Sequence, residues 1–311
     1  MSPQVRVRVP ATSANLGPGF DTLGLALDWH DVVTATIVDP RSATGRDRDA
    51  RADRRTTVEV TGEGAGVVPD DDGHLVARSM RETFDLLRVR ADHLRLRCEN
   101  SVPHSRGLGS SAAAIVAGVL AARALAGATD LSDDAVLALG ARLEGHPDNV
   151  AACLLGGLTV AWTSQQRVRA VRLEVHPEVR AVVCVPAAVL STEAARGLLP
   201  DAVPHADAAR NAANAALLVE ALTRRPELLL DATHDLLHQK YRAVAMPDSL
   251  ALVDELRSLD LAAVVSGAGP SVLVLTARQD DTARVVDVAG PAGWQVRLLD
   301  VDRRGAVVEP I

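Results

Sequence analysis

This 311-residue chain has few aromatic residues, few cysteines and a single lysine. Aromatic residues make up 2% of the sequence and hydrophobic residues 48%, so the core has to be built mainly from alanine, valine and leucine. Its three cysteines, Cys98, Cys153 and Cys184, form neither a C-x-x-C pair nor a zinc pattern, which predicts small buried thiols in a reducing compartment. Lys240 is the only lysine, and arginine supplies every other basic side chain.

Long apolar segments are missing as well. No apolar run reaches the roughly 18 residues that a membrane span needs, and the N-terminus has no apolar signal region. The sequence therefore predicts a cytoplasmic protein that works without a membrane. The formal net charge of −7 is spread along the chain, which argues against nucleic acid as a partner. It leaves room for an anionic substrate, which needs only a local basic pocket.

Hydrophobic periodicity predicts a mixture of strands and helices. Strict alternation predicts a strand over residues 5–9 that ends at Pro10, and the same reasoning predicts strands at 25–38, 56–62, 93–100, 180–186 and within 294–309. Ser132 is a predicted N-cap, and helices are predicted at 73–88, 110–127, 132–145, 191–199, 206–223, 226–238, 248–258 and 279–290. The sequence "HPDN" at 146–149 is expected to break a helix, and 261–277 to form strand, glycine turn and strand.

A polar stretch after residue 163 predicts a domain boundary near residue 165, which gives domains of residues 1–165 and 166–311. Residues 39–55 are nearly free of large apolar side chains and cannot bury enough surface to order themselves. We interpret them as a flexible hairpin insertion whose deletion leaves turnover intact.

A glycine-rich turn before an apolar helix is the clearest local motif. Gly107-Leu108-Gly109-Ser110-Ser111 runs directly into an alanine-rich segment. Glycines let a backbone approach a ligand, and a helix start offers unpaired N–H groups and a partial positive charge, so together they form an anion site. A plain loop entering a buried helix explains the pattern equally well.

The lysine of the G-x-x-x-x-G-K-[ST] phosphate loop is absent here, because position 112 is alanine. A phosphate at this turn therefore has to be held by backbone and hydroxyl groups, with a divalent metal supplying positive charge. Glu144 and Asp148, four residues apart across a proline break, are the nearest downstream acids with the hard oxygen ligands that such a metal prefers. A capped helix end is the other interpretation of these acids.

Four segments in order resemble the GHMP small-molecule kinases, a superfamily that includes galactokinase, homoserine kinase, mevalonate kinase and phosphomevalonate kinase. "PHSRGLGSSAAA" at 103–114 is similar to their phosphate loop. Three segments resemble the homoserine kinase family within it: "VPATSANLGPGFDTLGLAL" at 9–27, "EGHPDNVA" at 144–151 and "SGAGPS" at 266–271. The galactokinase N-terminal signature is missing, as is the lysine that mevalonate-type kinases place in the first loop.

The resemblance implies an α+β GHMP kinase fold, with a ribosomal-protein-S5-domain-2-like N-terminal domain that has a left-handed crossover and a ferredoxin-like C-terminal domain. It implies ATP and Mg²⁺ as cofactors and a homodimer. The implied reaction is the ATP-dependent phosphorylation of the side-chain hydroxyl of L-homoserine in threonine biosynthesis. Another GHMP-type kinase acting on a different small alcohol, or a non-catalytic small-molecule sensor, are the alternatives.

The resemblance also implies a substrate site for a zwitterion with a hydroxyl. A carboxylate is best bound by arginine in a forked contact, and the family pattern points to Arg196 and Arg242. The ammonium needs a carboxylate, which Asp21 matches. Further matching positions are Asn15, His146, Asn149, Thr192, Gly267 and Gly269. Without the resemblance, the arginines are read as surface charges and Asn15 and Asp21 as turn residues.

For ATP, the resemblance implies a phosphate loop that wraps the triphosphate and consists of Pro103, His104, Ser105, Arg106, Gly107, Leu108, Gly109, Ser110, Ser111, Ala112 and Ala113. Ser111 and Glu144 are the implied Mg²⁺ ligands. His74, Leu75 and Val76 lie where the family packs against adenine, with histidine in place of the more usual asparagine.

The expected catalytic residues are Asp148, Asn149 and Glu144. Mevalonate-type relatives pair an aspartate at about the Asp148 position with a lysine, which this chain lacks. Phosphoryl transfer has a loose transition state, so positioning and charge neutralisation carry most of the rate. We therefore expect a mechanism without a strong base, in which Asp148 and Asn149 hold the substrate hydroxyl in line with the γ-phosphate.

Overall fold

The computed structural model describes residues 3–38 and 55–309, so the predicted insertion lies outside the described residues except for the backbone of Arg55. The strands in chain order are β1 (Gln4–Ala14), β2 (Leu23–Ile37), β3 (Arg55–Gly62), β4 (His93–Asn100), β5 (Leu158–Ser164), β6 (Arg167–Leu173), β7 (Arg180–Val185), β8 (Ala262–Val265), β9 (Val272–Thr276), β10 (Gln295–Leu299) and β11 (Val307–Glu309). The helices are α1 (Leu75–Leu87), α2 (Ser110–Leu125), α3 (Asp133–Glu144), α4 (Asp148–Leu155), α5 (Thr192–Arg196), α6 (His205–Thr223), α7 (Leu229–Ala232), α8 (Gln239–Arg242), α9 (Pro247–Ser258) and α10 (Asp281–Ala289).

The first sheet has the strand order β11-β1-β2-β4-β3, and the β5–β6 hairpin joins it through β2. Its neighbours are antiparallel except β3 and β4, which run parallel and are connected through α1. Helices α1 to α4 pack together over this sheet around an aliphatic core, as the composition predicted. Helix α2 is apolar on nearly every side, because it lies in the centre of that core.

The second sheet has the order β10-β7-β9-β8, with every neighbouring pair antiparallel. Helices precede β8 and β10, and β8 and β9 form a hairpin, so the chain follows the β-α-β-β-α-β order of a ferredoxin-like domain. The predicted α+β class and the ferredoxin-like second domain are confirmed.

A shared apolar core and a set of hydrogen bonds join the two domains. The core contains Leu16 after β1, Leu25 and Leu27 of β2, and Val183 and Leu218 of the second domain. The glycine turn between β8 and β9 contacts the first domain directly. Its Gly267 N–H donates to Ala14 O at 3.1 Å, and its Ser266 hydroxyl donates to Gly107 O at 2.7 Å. The β8–β9 turn thereby fixes the position of the glycine-rich loop.

Two predicted boundaries differ from the structure. Strand β1 does not end at Pro10 but continues to Ala14, because a bulge between Pro10 and Ala11 accommodates the missing N–H group. The boundary near residue 165 falls in the turn of the β5–β6 hairpin. Both of its strands belong to the first sheet, so the chain leaves that sheet after Leu173.

Two helices with site residues were not expected from periodicity. The "HPDN" break is itself the start of α4 at Asp148, and α4 is too short and too apolar to show a period. Helix α8 has only four residues and ends at Arg242. The helix predicted at 226–238 is instead a 3-10 turn followed by α7, which ends at Ala232.

Cysteine placement and helix length agree with the composition. Cys98, Cys153 and Cys184 are buried free thiols, and burial raises the pKa of Cys98 and of Cys184 to about 12. Among the described helices, none combines the length and apolar character needed to cross a membrane.

Candidate active site

A cleft of about 410 Å³ lies where the two domains meet. Its walls come from distant parts of the chain: the end of β1, the start of α1, the glycine-rich loop and α2, the α3–α4 connection, α5, α8 and the β8–β9 turn. The predicted site residues that line it are Asn15, His104, Ser105, Gly107, Leu108, Gly109, Ser110, Ser111, Ala113, Glu144, His146, Asp148, Asn149, Thr192, Arg196, Arg242 and Gly267.

The glycine-rich loop reaches α2 through two residues in left-handed backbone, with φ of 73° at Gly107 and 68° at Gly109. A Cβ at Gly107 would lie 2.2 Å from Ser266 O, and one at Gly109 would lie 1.9 Å from the Thr12 hydroxyl oxygen. Both positions therefore require glycine. In the described part of the chain no side chain caps α2, so its first N–H groups are available to an anion in the cleft.

Ser111 and Glu144 place two oxygen ligands side by side at the start of α2. The Ser111 hydroxyl donates to Glu144 Oε2 at 2.7 Å. Burial raises the pKa of Glu144, while the hydrogen bond from Ser111 opposes this shift. Within the described residues, only Asp28, His30 and Asp302 cluster as three metal-ligating side chains, and none of them lines the cleft. Ser111 and Glu144 suit Mg²⁺ when phosphate oxygens complete its coordination.

Asp148 connects several polar groups at the start of α4. Its Oδ1 accepts hydrogen bonds from His146 Nδ1 at 2.9 Å and from Asn149 N at 2.7 Å. Burial lowers the pKa of His146, but the hydrogen bond to Asp148 and the charges of Asp148 and Glu144 outweigh burial and raise it overall. Asn149 Oδ1 accepts the Thr12 hydroxyl at 2.8 Å, which leaves the amide NH2 of Asn149 as a donor beside the glycine-rich loop.

Asp21 and Arg196 form a forked ion pair, in which Arg196 lines the cleft and Asp21 does not. Arg196 Nη1 lies 3.0 Å from Asp21 Oδ2, and Nη2 lies 2.5 Å from Oδ1. The hydrogen bond to Asp21 raises the pKa of Arg196. About a third of each side chain is exposed, so solvent weakens the pair. The sequence assigned the two residues to opposite ends of a zwitterion; in this structure they contact each other.

Arg242 is the largest fully buried side chain among the described residues, at 1% exposure. Its Nε donates to Ala195 O and its Nη1 to Gly267 O, both at 3.3 Å, and Nη1 lies 3.1 Å from His238 Nδ1. No carboxylate of the described residues forms an ion pair with it. Burial and the nearby charge of Arg196 lower the pKa of Arg242. A buried guanidinium in a cleft wall without an anionic partner favours an anionic ligand.

Asn15 lies in the cleft wall with both ends of its amide already paired. Its Nδ2 donates to Gly267 O at 2.8 Å, and its Oδ1 accepts the Asp21 N–H at 2.9 Å. The residue adopts left-handed backbone with φ of 66°. Asn15 therefore fixes the loop that carries Asp21, and a ligand could still contact its second Nδ2–H or the second lone pair of Oδ1.

Three residues of the predicted phosphate loop do not line the cleft. The Arg106 guanidinium donates to Pro186 O at 3.0 Å and to Ala187 O at 3.1 Å, so it ties the loop to the end of β7. Pro103 and Ala112 are buried. Ala112 belongs to the α2 side that packs into the first core, which explains why it cannot face a phosphate.

The opposite end of the cleft is mostly apolar, where His74, Leu75 and Val76 were expected to meet adenine. All three line it, together with Val68 and Pro69. His74 is the N-cap of α1, and its Nδ1 accepts the Val76 N–H at 3.3 Å. Burial lowers the pKa of His74.

Sequence reasoning missed three buried residues that support the site: Thr12, Asp31 and His238. Asp31 accepts the N–H groups of Ser101 and Val102 at 2.7 and 2.9 Å, which fixes the entry to the glycine-rich loop. The hydrogen-bond partners of Thr12 and Asp31 lie far away in the sequence, and His238 contacts Arg242 on a helix too short to predict. Only Thr12 lies inside a segment that the sequence analysis had singled out, the one at residues 9–27.

Comparison with known proteins places the chain among kinases. Residues 74–157 match the GHMP kinases N terminal domain, and residues 208–292 match the GHMP kinases C terminal family. The homoserine kinase of Streptomyces avermitilis is 53% identical over 309 residues, which cover 99% of this chain and 96% of the relative. That of Clavibacter michiganensis subsp. michiganensis is 48% identical, with 99% of this chain and 95% of the relative covered.

Two solved structures share the whole fold. The crystal structure of homoserine kinase from Cytophaga hutchinsonii has a TM-score of 0.82 at 25% identity and covers 98% of this chain and 97% of that chain. The structure of a putative homoserine kinase from Listeria monocytogenes has a TM-score of 0.75 at 29% identity and covers 99% of both chains.

Proposed function

The chain belongs to the homoserine kinase family of the GHMP kinases, and on this premise we propose that it transfers the γ-phosphoryl group of ATP to the side-chain hydroxyl of L-homoserine. The product is O-phospho-L-homoserine, an intermediate of threonine biosynthesis. The observation that carries the proposal within this chain is the buried guanidinium of Arg242, which lines the cleft without an anionic partner among the described residues.

We assign the substrate carboxylate to Arg242 and Arg196. Both line the cleft, their guanidinium groups lie 5.5 and 5.7 Å from the centroid of the Phe20 ring, and the charge of Arg196 lowers the pKa of Arg242, so the two cations are near each other. We assign the substrate ammonium to Asp21. A zwitterion can then replace the contact between Asp21 and Arg196 with one partner for each, so that no charge is left unpaired. The partial exposure of this pair keeps the cost of the exchange small.

We assign the triphosphate to the N–H groups of the glycine-rich loop and the first turn of α2. Ser111 and Glu144 would hold Mg²⁺, and their adjacent oxygens, 2.7 Å apart, support this assignment. Mg²⁺, when bound, neutralises charge on the β- and γ-phosphates. The loop and the helix start add fixed dipoles that favour the charge developing on the transferred group.

Asp148 and Asn149 would hold the substrate hydroxyl where α4 meets the glycine-rich loop. Asp148 Oδ1 is occupied by His146 and Asn149 N, whereas Oδ2 has no hydrogen bond to the described residues and is left for the hydroxyl. The hydroxyl oxygen bonds to phosphorus as the bond to the leaving ADP oxygen breaks, and the hydroxyl proton passes late to an oxygen of the transferred phosphoryl group. Because that transition state is loose, positioning carries more of the rate than proton removal does.

A coupled assay of ADP release with Mg·ATP tests the substrate. We expect turnover with L-homoserine and little with either 4-hydroxybutyrate or 3-aminopropan-1-ol. The first has no ammonium to separate Asp21 from Arg196, so only Arg242 is available to its carboxylate, and the second has no carboxylate for Arg242. Mevalonate and L-serine extend the comparison to other small alcohols. Equal turnover with 4-hydroxybutyrate would contradict the zwitterion site, and turnover with mevalonate alone would assign the chain to a different GHMP-type reaction.

The metal assignment has its own variant pair. Ser111→Ala should raise the Mg²⁺ concentration needed for half-maximal turnover, whereas Ser110→Ala should not, because of these two serines only Ser111 forms a hydrogen bond with Glu144 in the described part of the chain. Equal Mg²⁺ dependence in both variants would contradict the metal assignment.

The proposal also places the enzyme in the cytoplasm, where ATP is abundant, and assigns it a homodimeric state. Light scattering of the purified protein tests the oligomeric state.

A further inference from the structure

His238 is a buried histidine that connects the loop carrying Gly17 and Asp21, in the first domain, to Arg242 of the second domain. It precedes α8 and has no exposed surface. Its Nε2 lies 2.9 Å from Gly17 O, and its Nδ1 lies 3.1 Å from Arg242 Nη1. No other side-chain atom of the described residues accepts a hydrogen bond from Arg242, whose two contacts with carbonyl oxygens are longer at 3.3 Å.

These two contacts determine the tautomer of His238. A carbonyl oxygen only accepts, so Nε2 must carry the proton that it donates to Gly17. A guanidinium only donates, so Nδ1 must carry the lone pair that faces Arg242. The neutral Nε2–H form is therefore the one that satisfies both neighbours. Burial lowers the pKa of His238, and the Asp235 carboxylate, whose Oδ1 lies 3.7 Å from Nε2, opposes this shift without reversing it, so the neutral form is favoured.

Packing holds the imidazole in this orientation. The Phe20 ring stacks on it with centroids 5.2 Å apart and an angle of 28° between the planes. Asp235 accepts the backbone N–H groups of Leu237, His238 and Gln239, so the backbone at the start of α8 is fixed as well. The imidazole cannot turn away from Arg242 without breaking the stack or the bond to Gly17.

We propose that His238 is a positioning residue for substrate binding: its neutral Nε2–H tautomer holds the Arg242 guanidinium at the angle at which it receives the substrate carboxylate. The inference rests on the proposed function, because it takes Arg242 as the carboxylate ligand. His238 does not touch the substrate and acts only through Arg242. Through Gly17 it also links that arginine to the loop that carries Asp21.

Two substitutions separate the two ring nitrogens. Asparagine at position 238 can place an acceptor near the former Nδ1, which keeps the contact with Arg242. Glutamine can place a donor near the former Nε2, which keeps only the contact with Gly17. We expect His238→Gln to raise KM for homoserine about tenfold, the value of one lost hydrogen bond to a charged group, and His238→Asn to stay within about threefold of wild type. KM for ATP should change in neither variant.

His234→Gln is the matched control, because this exposed histidine lies four residues earlier and does not line the cleft. Equal effects of His238→Gln and His238→Asn, parallel changes in KM for ATP, or no change in either variant would each overturn the inference. Absence of homoserine-dependent turnover in wild type would overturn the proposed function as well, whereas an active wild type with an unaffected His238→Gln variant overturns the positioning role alone.

A measurement on the wild-type protein covers the case in which both variants fail to fold. Nitrogen-15 NMR of the histidine rings distinguishes a protonated Nδ1 from a protonated Nε2. We expect His238 to be the Nε2–H tautomer between about pH 7.5 and 9, the range in which an unperturbed histidine is mostly neutral. A proton on Nδ1 in this range would overturn the inference, because two donors would then face each other.

Discussion

The two ends of the cleft offer different kinds of groups to a charged ligand. At the phosphate end the available groups are backbone N–H groups, exposed by Gly107 and Gly109, and the one arginine of the loop, Arg106, is turned toward β7. At the substrate end the groups are charged side chains, chiefly those of Arg196 and Arg242 with their acidic neighbours. A short continuous sequence suffices to build the first end, whereas the second end exists only once distant segments have folded together.

The chemistry of the two proposed ligands accounts for this difference. Mg²⁺ bound to a triphosphate neutralises much of its negative charge. The N–H groups at a helix start and a hydroxyl are then enough to orient the triphosphate. A small zwitterion presents two opposite charges at a fixed spacing, and each needs a counter-charge held in a matching place. The four predictions below test this contrast, from the largest expected effect to the smallest.

Gly109→Ala should damage the phosphate end most. Its Cβ would lie 1.9 Å from the Thr12 hydroxyl oxygen and 3.1 Å from Asn149 Oδ1, so the loop or α4 must move, and we expect kcat to fall at least about a hundredfold. Gly127→Ala is the control: φ is 62° there, but none of the described atoms lies within 4 Å of the new Cβ. Steady-state kinetics measure both variants, and equal activity would contradict the role of the Gly109 backbone conformation.

Arg242→Met should damage the substrate end alone. Loss of a buried charged partner should lower kcat/KM for homoserine at least about 30-fold, while KM for ATP stays near the wild-type value. Arg257→Met is the control, because Arg257 donates to the Thr233 hydroxyl at 2.9 Å and to Leu230 O at 2.8 Å and does not line the cleft. We expect the control to lower the thermal midpoint without changing KM. The same KM change in both variants would assign Arg242 a structural role.

Asp148→Asn tests the point where the two ends meet. If Asp148 mainly positions the hydroxyl, asparagine keeps most of its contacts and kcat should fall about tenfold, with KM for homoserine little changed. A general base contributes about a hundredfold or more. A fall of that size with intact substrate binding, measured by single-turnover kinetics and titration, would show that Asp148 is a required base.

The smallest expected effect concerns the ion pair of His146 with Asp148. The folded-state pKa of His146 is raised above 6.5, so its stabilising charge is fully present below the unfolded pKa and is lost as the pH rises through the folded pKa. His146→Asn keeps a neutral donor near Nδ1. Urea unfolding at acidic pH should find it less stable than wild type by about 1 kcal/mol, and at alkaline pH nearly equal. A difference that grows with pH would contradict the assignment.

The contrast also explains how much the sequence revealed. The glycine-rich loop, Ser111 and the N-cap Ser132 act through neighbours on the same or the next helix, and all three were predictable from local patterns. Arg196 and Arg242 were identified as candidate substrate ligands by family resemblance, but no local sequence pattern predicted which residues their side chains contact. The pairing of Arg196 with Asp21 spans 175 residues, and that of Arg242 with His238 depends on a four-residue helix.

Errors in the predicted elements have the same origin. Pro10 and "HPDN" look like breaks because local preference disfavours continuation there, but tertiary packing continues β1 through a bulge and starts α4 at Asp148. Arg106 lies inside the loop predicted to bind phosphate and yet faces the second domain, because two carbonyl oxygens beyond β7 accept hydrogen bonds from its guanidinium. A motif indicates which backbone binds, but it does not determine where each of its side chains points.

Because β11 returns to the first sheet, the first domain cannot be separated from the second by a single cut in the chain. Strand β11 pairs with β1 after the chain has completed the whole second sheet, and Glu309 contacts Arg6 and Arg8 from that edge. A fragment cut between β6 and β7 would lack β11, and its β1 would present an open edge that can pair with another chain. Domain-swapped chimeras and truncated expression fragments of this enzyme must therefore carry residues 307–309 with the first domain, or they will tend to aggregate.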